Sequence, residues 1–265
     1  MEYDHSGGWS FRARNGKYMC ADNDYERIRA TSYDKGPSKT FILEVVELNL
    51  QDQINAVSPG VTVYLQEGVY RGTVAIDEPV NIIGNTGGTF LDGGGNGSVL
   101  TIGKSNSNVD VGLYQIAIRG GSSEYGGDIN NFGRLTLENI LITGNTASNS
   151  GGGISNHSST VCTTAVISDN SANFGAGIFN DVGSKLVLDA IEITSNVAET
   201  RGCGVLNNGK MVFEGGTIWA NIPDEVQDDT ANATVCPQPA GNLSALTADD
   251  NCCEMVDGSC AKFDH

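Results

Sequence analysis

Gly126-Gly127-Asp128-Ile129-Asn130-Asn131 returns as Gly151-Gly152-Gly153-Ile154-Ser155-Asn156, as Gly175-Ala176-Gly177-Ile178-Phe179-Asn180 and as Gly202-Cys203-Gly204-Val205-Leu206-Asn207. A second marker keeps step with it: Thr143-Gly144-Asn145, Ser168-Asp169-Asn170, Thr194-Ser195-Asn196 and Trp219-Ala220-Asn221. Successive members of either series lie 24–27 residues apart. Two markers sharing one period identify stacked units. Each unit holds short alternating runs such as Leu135-Thr136-Leu137 and Ile191-Glu192-Ile193, the period of a strand rather than a helix. Glycines and Asn-containing corners separate the runs. A helix-free unit of about 25 residues cannot bury its apolar face alone and must stack on its neighbours. The predicted fold is all-β: a right-handed parallel β-helix, a single-stranded solenoid, since long coils with irregular corners replace the hexapeptide repeat of left-handed ones.

Stacking places Asn131, Asn156, Asn180 and Asn207 in one ladder and Asn145, Asn170, Asn196 and Asn221 in another. An Asn side chain bridges to the next coil and tolerates a left-handed corner, so both ladders read as structural. The chain has 265 residues, enough for a real core, and 35 Gly against few aromatics, which suits a thin solenoid. The net charge is −17. Residues 1–47 carry 7 Lys/Arg and 8 Asp/Glu, the remainder 8 and 24. Nucleic acid needs clustered basic residues, so it is excluded as a partner of the solenoid. No apolar run reaches the length of a membrane span, no signal peptide is visible, and membrane insertion is not expected. The expected partner is a protein or a glycan. A polyanionic polysaccharide would need a basic cleft or Ca²⁺ to offset repulsion.

Cys236, Cys252, Cys253 and Cys260 crowd the C-terminal end. An even set in a short tail predicts two disulfides and an oxidising compartment. Vicinal pairing of Cys252 with Cys253 would be strained, and a zinc site lacks the Cys-x₂-Cys spacing. Cys162 and Cys203 read as small core residues, and Cys20 lies in an N-terminal hairpin. Asn96, Asn156, Asn232 and Asn242 begin Asn-Xaa-Ser/Thr sequons, consistent with a secreted or cell-surface protein. Asn156 belongs to a ladder and is not expected to be modified.

Four regions follow: a β-hairpin appendage over 1–47, a capping helix over 48–60, the β-helix over 61–222, and an acidic, Cys-rich cap over 223–265. The hairpin runs from Trp9 to Arg14 and from Lys17 to Ala21, about an Asn15-Gly16 turn. Its Phe11-Arg12-Ala13-Arg14-Asn15-Gly16-Lys17-Tyr18-Met19-Cys20-Ala21 pattern, with Thr40-Phe41-Ile42-Leu43 later, resembles one repeat of a fascin-like β-trefoil. Leu50, Ile54 and Val57 keep helical spacing until Ser58-Pro59-Gly60. That helix, then Gly68-Val69-Tyr70 and Ile82-Ile83-Gly84-Asn85, is similar to the opening of pectate-lyase-like right-handed β-helix proteins, where the helix caps the core. The Gly-rich repeats from Gly126 resemble those of chlamydial polymorphic membrane proteins.

The pectate-lyase-like resemblance implies a test for catalysis. Pectate lyases pair a Ca²⁺-binding acidic cluster with an Arg or Lys base; polygalacturonases pair aspartates with His and Arg-x-Lys. Between Val80 and Ile222 the basic residues are Lys104, Arg119, Arg134, Lys185, Arg201 and Lys210, and His157 is the only His. There is no Asp-Asp pair and no Arg-x-Lys. His157 reads as a corner residue, Asp92 as a turn acid, and no serine has a His–Asp context. Arg134, Lys185 and Lys210 begin equivalent strands, with Glu138, Asp189 and Glu214 four residues on and facing outward. The candidate catalytic residues are therefore Arg119, Asp189 and Glu214. Adjacent coils would bring Asp189 and Glu214 about 5 Å apart, a spacing that suits a glycosidase pair or Ca²⁺. Against this, outward charge keeps an exposed sheet soluble. The expected role is a non-catalytic β-helix in adhesion, scaffolding or a larger assembly. The rivals are a polysaccharide lyase or epimerase and a glycan-binding surface built on Thr136, Thr143, Ser168 and Thr194.

Overall fold

The computed structural model describes residues 49–222 other than 86–87 and 106–107, together with the strands Glu2–Tyr3, Trp9–Arg12, Tyr18–Ala21, Arg27–Ser32, Phe41–Val46, Val226–Asp228 and Thr234–Pro237. The chain divides into two units, Met1–Leu48 and Asn49–His265. In the first, Trp9–Arg12 pairs antiparallel with Tyr18–Ala21 and with Glu2–Tyr3, and Arg27–Ser32 with Phe41–Val46. The hairpin strands therefore exist; the Asn15-Gly16 turn lies outside the described residues.

The second unit is a right-handed parallel β-helix, the sense that parallel crossovers take. Sheet 1 stacks eight strands: Thr62–Tyr64, Val80–Ile83, Asp110–Tyr114, Arg134–Glu138, Ser159–Thr163, Lys185–Asp189, Lys210–Phe213 and Thr234–Pro237. Sheet 2 stacks seven, from Gly68–Arg71 through Ala117–Arg119 and Ile191–Thr194 to Gly216–Trp219. Sheet 3 has four: Ser122–Tyr125, Thr146–Ser150, Ser171–Phe174 and Val197–Arg201. Sheet 4 has seven, from Val74–Ile76 through Ile154–Asn156 to Val226–Asp228. Each full coil visits sheets 1 to 4 in turn. The ladders continue past Ile222, where the sequence pattern ends the solenoid. Val226–Asp228 pairs with Val205–Asn207, and Thr234–Pro237 with Lys210–Phe213. Backbone pairing needs no side-chain motif, so the loss of the Gly and Asn markers does not stop it.

The core is made of like residues stacked coil on coil. Leu135/Leu137, Leu186/Leu188 and Met211/Phe213 point inward from sheet 1, and Ile118, Ile142, Ile167, Ile193 and Ile218 from sheet 2; all are buried. Truncating one such aliphatic to Ala costs about 2–5 kcal/mol. Beneath sheet 3 the interior narrows to Ala147, Ala172, Ala198, Ala176 and Cys203. Cys162 and Cys203 are buried free thiols, and burial pushes the Cys162 thiol up to about 12, so it is an inert core residue.

Both Asn ladders form. Asn131 Nδ2 donates to Asn156 Oδ1 at 3.0 Å, Asn156 to Asn180 at 2.7 Å, and Asn180 to Asn207 at 2.7 Å. The same head-to-tail chain links Asn145, Asn170, Asn196 and Asn221 at 2.8–3.0 Å. The Asn residues do not themselves take the left-handed corner. In the second ladder that conformation belongs to the preceding residue, with φ of +71° at Gly144, +56° at Asp169, +58° at Ser195 and +55° at Ala220. This turn aims the Asn inward, where it accepts from the previous coil's backbone and donates along the stack. The Gly-x-Gly corner divides its labour. Gly175 needs φ +57°, whereas a Cβ on Gly177 would lie 2.4 Å from the Gly204 carbonyl oxygen.

The N-terminal helix is shorter than its spacing predicts, Leu50–Asn55, because Asn49 caps it and Ala56 closes it well before Pro59. Leu50 is buried. Gln51 donates to the Ala75 carbonyl at 3.1 Å and accepts from its N–H at 2.8 Å. Its amide thus stands in for a missing strand on the exposed edge of sheet 4. No helix among the described residues is long and apolar enough to cross a membrane.

Candidate functional site

Arg119 and Asp92 are strand partners in sheet 2. Arg119 Nε donates to Asp92 Oδ2 at 3.1 Å, and the guanidinium lies 5.0 Å from the Phe90 ring centre. The other Asp92 oxygen accepts from Gly94 N at 3.1 Å. Asp92 is thus the turn acid the sequence implied, and Arg119 is held against it. Asp189 and Glu214 end equivalent stretches of sheet 1, since Leu188 pairs with Phe213. They stand on a different sheet from Arg119, three and four coils further along, so the candidates form two separate groups, Arg119 with Asp92 and Asp189 with Glu214. Among the described residues no three His, Cys, Asp or Glu side chains group to hold a metal ion. The outward series on sheet 1 is in register as read: Arg134, Ser159, Lys185 and Lys210 on one side, Glu138, Thr163 and Asp189 on the other. Cys252, Cys253 and Cys260 lie outside the described residues, and Cys236 falls in the strand Thr234–Pro237.

A different constellation stands on the outer side of sheets 3 and 4. The residues after the first Asn ladder stack in one column: Phe132, His157, Asp181 and Asn208. Phe132 and His157 lie ring on ring, with centres 4.7 Å apart and planes 11° apart. His157 Nδ1 meets Asp181 Oδ2 at 2.8 Å, and the His157 bond holds the Asp181 carboxyl below the usual range. With Nδ1 donating, Nε2 accepts from the Ser155 hydroxyl at 3.0 Å. The expectation that no serine has a His–Asp context is therefore corrected, and so is the reading of His157 as a corner residue alone. Ser155 and His157 are two residues apart, and Asp181 lies one coil beyond. Applying the repeat period to outward positions sets His157 beside Asp181, but the Ser155 contact depends on how the chain turns after Asn156.

The connectivity is that of an acyl-transfer relay, but Ser155 is wholly buried. A nucleophile without exposed surface cannot reach a carbonyl carbon, so the relay orients His157 and does not attack. Beside it runs a shallow groove of about 290 Å³. Sheet 3 supplies Tyr125, Phe174 and Arg201, and the sheet 4 side supplies Phe179, His157 and Asp181. Phe179 tilts toward the imidazole, with ring centres 6.4 Å apart. Arg201 lies 5.7 Å from the Phe174 ring centre, and Asn149 donates to the Tyr125 hydroxyl at 3.1 Å. The Glu124 charge next to Tyr125 raises the phenol's pKa, so Tyr125 is a neutral donor and acceptor. The groove offers aromatic rings bordered by amide, imidazole, carboxylate and guanidinium groups.

No protein-family model matches the chain, and no curated protein matches it. Among solved structures it is similar to a pectin methylesterase in complex with a hexasaccharide, at 11% identity over 78% of this chain and 88% of that one, with a TM-score of 0.42. At that level the likeness carries no residue role or substrate to this chain.

Proposed function

We propose that this protein is a non-catalytic β-helix of the cell surface or secreted space that binds a glycan along the groove between sheets 3 and 4. The observation that carries this reading is the set of aromatic rings, Tyr125, Phe174 and Phe179, beside polar groups in one shallow groove. A sugar ring has an apolar C–H face and a rim of hydroxyls. Aromatic faces remove the first from water, and amides, a phenol and an imidazole meet the second. Binding without turnover is supported by the burial of Ser155. The clustered cysteines and sequons support the extracellular setting.

The test is a glycan array on the full chain, followed by calorimetry on the best ligand. Phe179→Ala and Tyr125→Ala each weaken binding at least about tenfold, roughly 1.4 kcal/mol, whereas Lys185→Ala on sheet 1 leaves it unchanged. Unsaturated product appearing from any array ligand, with or without Ca²⁺, would overturn the non-catalytic reading. Binding that survives both aromatic substitutions would move the site elsewhere.

A further inference from the structure

Where the strands Lys185–Asp189 and Lys210–Phe213 lie side by side, the outer face of sheet 1 carries charge in two like-signed columns with an apolar stripe between them, whereas two coils earlier Arg134 is held by its own register partner Asp110. Lys185 is the register partner of Lys210, and Asp189 precedes Glu214 in the opposite column. Neighbouring strands stand about 4.8 Å apart, so each column sets like charges side by side, an arrangement that costs stability. Along one strand Lys185 and Asp189 are about 13 Å apart, too far to neutralise each other. Among the described residues the side chains of Lys185, Lys210, Glu138, Asp189 and Glu214 make no ion pair or hydrogen bond. Between the columns run Val161, Val187 and Val212, with Val161 among the exposed large hydrophobics.

This face is complementary to itself. A two-fold axis parallel to the solenoid axis turns a second copy over, so that its basic column lies against the first copy's acidic column on both sides. Coil meets equivalent coil. Lys185 comes opposite Asp189 and Lys210 opposite Glu214, while Arg134 keeps its own partner Asp110. The one uncharged coil matches too, Ser159 opposite Thr163. The valine stripe then meets its own copy on the axis. The perpendicular in-plane axis would set like columns together, so the pattern selects one geometry. The molecule as a whole repels itself at −17, yet over these two coils Lys185 and Lys210 balance Asp189 and Glu214.

We infer that the outer face of sheet 1 is an isologous interface with a second copy of this chain. The experiment is sedimentation of the full chain across a dilution series, with circular dichroism confirming the β-fold of every variant. The wild type dimerises. Lys185→Glu with Lys210→Glu makes both columns acidic and weakens the dimer at least about tenfold. Asp189→Lys with Glu214→Lys makes both basic and does the same. Mixing the two variants restores a dimer, and so does combining all four substitutions in one chain. Val187→Cys cross-links to itself under mild oxidation. A chain that remains monomeric at every concentration, a dimer indifferent to the charge reversals, or a mixture that fails to associate would each overturn the inference.

Discussion

Thr164 holds a conformation that its side chain disfavours. Its φ is +52°, in a column of corners with Gln115, Asn139 and Ala190 at +50° to +58°. A β-branched residue is a true outlier there, whereas Asn enters that region readily and already occupies it one coil earlier. Thr164→Asn should raise stability by about 1 kcal/mol in denaturant unfolding; a loss would show that the corner geometry is not strained. Asp128 is a stranger case. It takes the place that Gly153, Gly177 and Gly204 hold in later coils, wholly buried, with Oδ2 accepting from Asn145 at 2.6 Å. Burial drives its pKa well above the ordinary value. The folded state therefore favours the protonated acid. Its contribution is full below the unfolded pKa of about 3.9 and is lost as pH rises through the folded value. Asp128→Asn should flatten that decline, so its advantage over the wild type in thermal unfolding grows from acid toward neutral pH. An unchanged pH profile would mean that Asp128 is not the titrating group.

At the scale of the element, a corner matters more than any single strand. Asn196 Oδ1 accepts from Asn170 N and Nδ2, while its own amide donates to Ile167 O and Asn221 Oδ1. Removing that side chain strands several buried polar groups in three coils. Asn196→Ala should cost about 3 kcal/mol, whereas the adjacent exposed Ser195→Ala should change stability by less than about 0.5 kcal/mol. Equal effects in equilibrium unfolding would show that the ladder is ornamental. The corners were the most legible part of the sequence, since stacking demands the same residue in every coil and so writes a period. The groove was not legible. Phe132, His157, Asp181 and Asn208 share one column yet are all different, because an outward position faces solvent and can meet its neighbour without repeating it.

For the whole molecule, a solenoid separates stability from recognition. Each coil is stabilised by its neighbours, so the interior is uniform while the faces are free to differ. One face gathers rings and polar groups into a groove, and another sorts charge into columns that fit a copy of itself. Sequence by itself determined the coil period, the inward aliphatic stacks, the two Asn ladders and the register of the charged columns, because all follow from residues repeated at a fixed spacing. Only the tertiary structure decided which outward residues meet. It joined Ser155, His157 and Asp181 across two coils, and it placed Arg119 on a different sheet from Asp189 and Glu214. It also carried the sheets past the last marker. Contacts across the corners depend on how sharply the chain turns, and that is set by backbone dihedrals at residues as unlike as Gly144, Asp169 and Ala220.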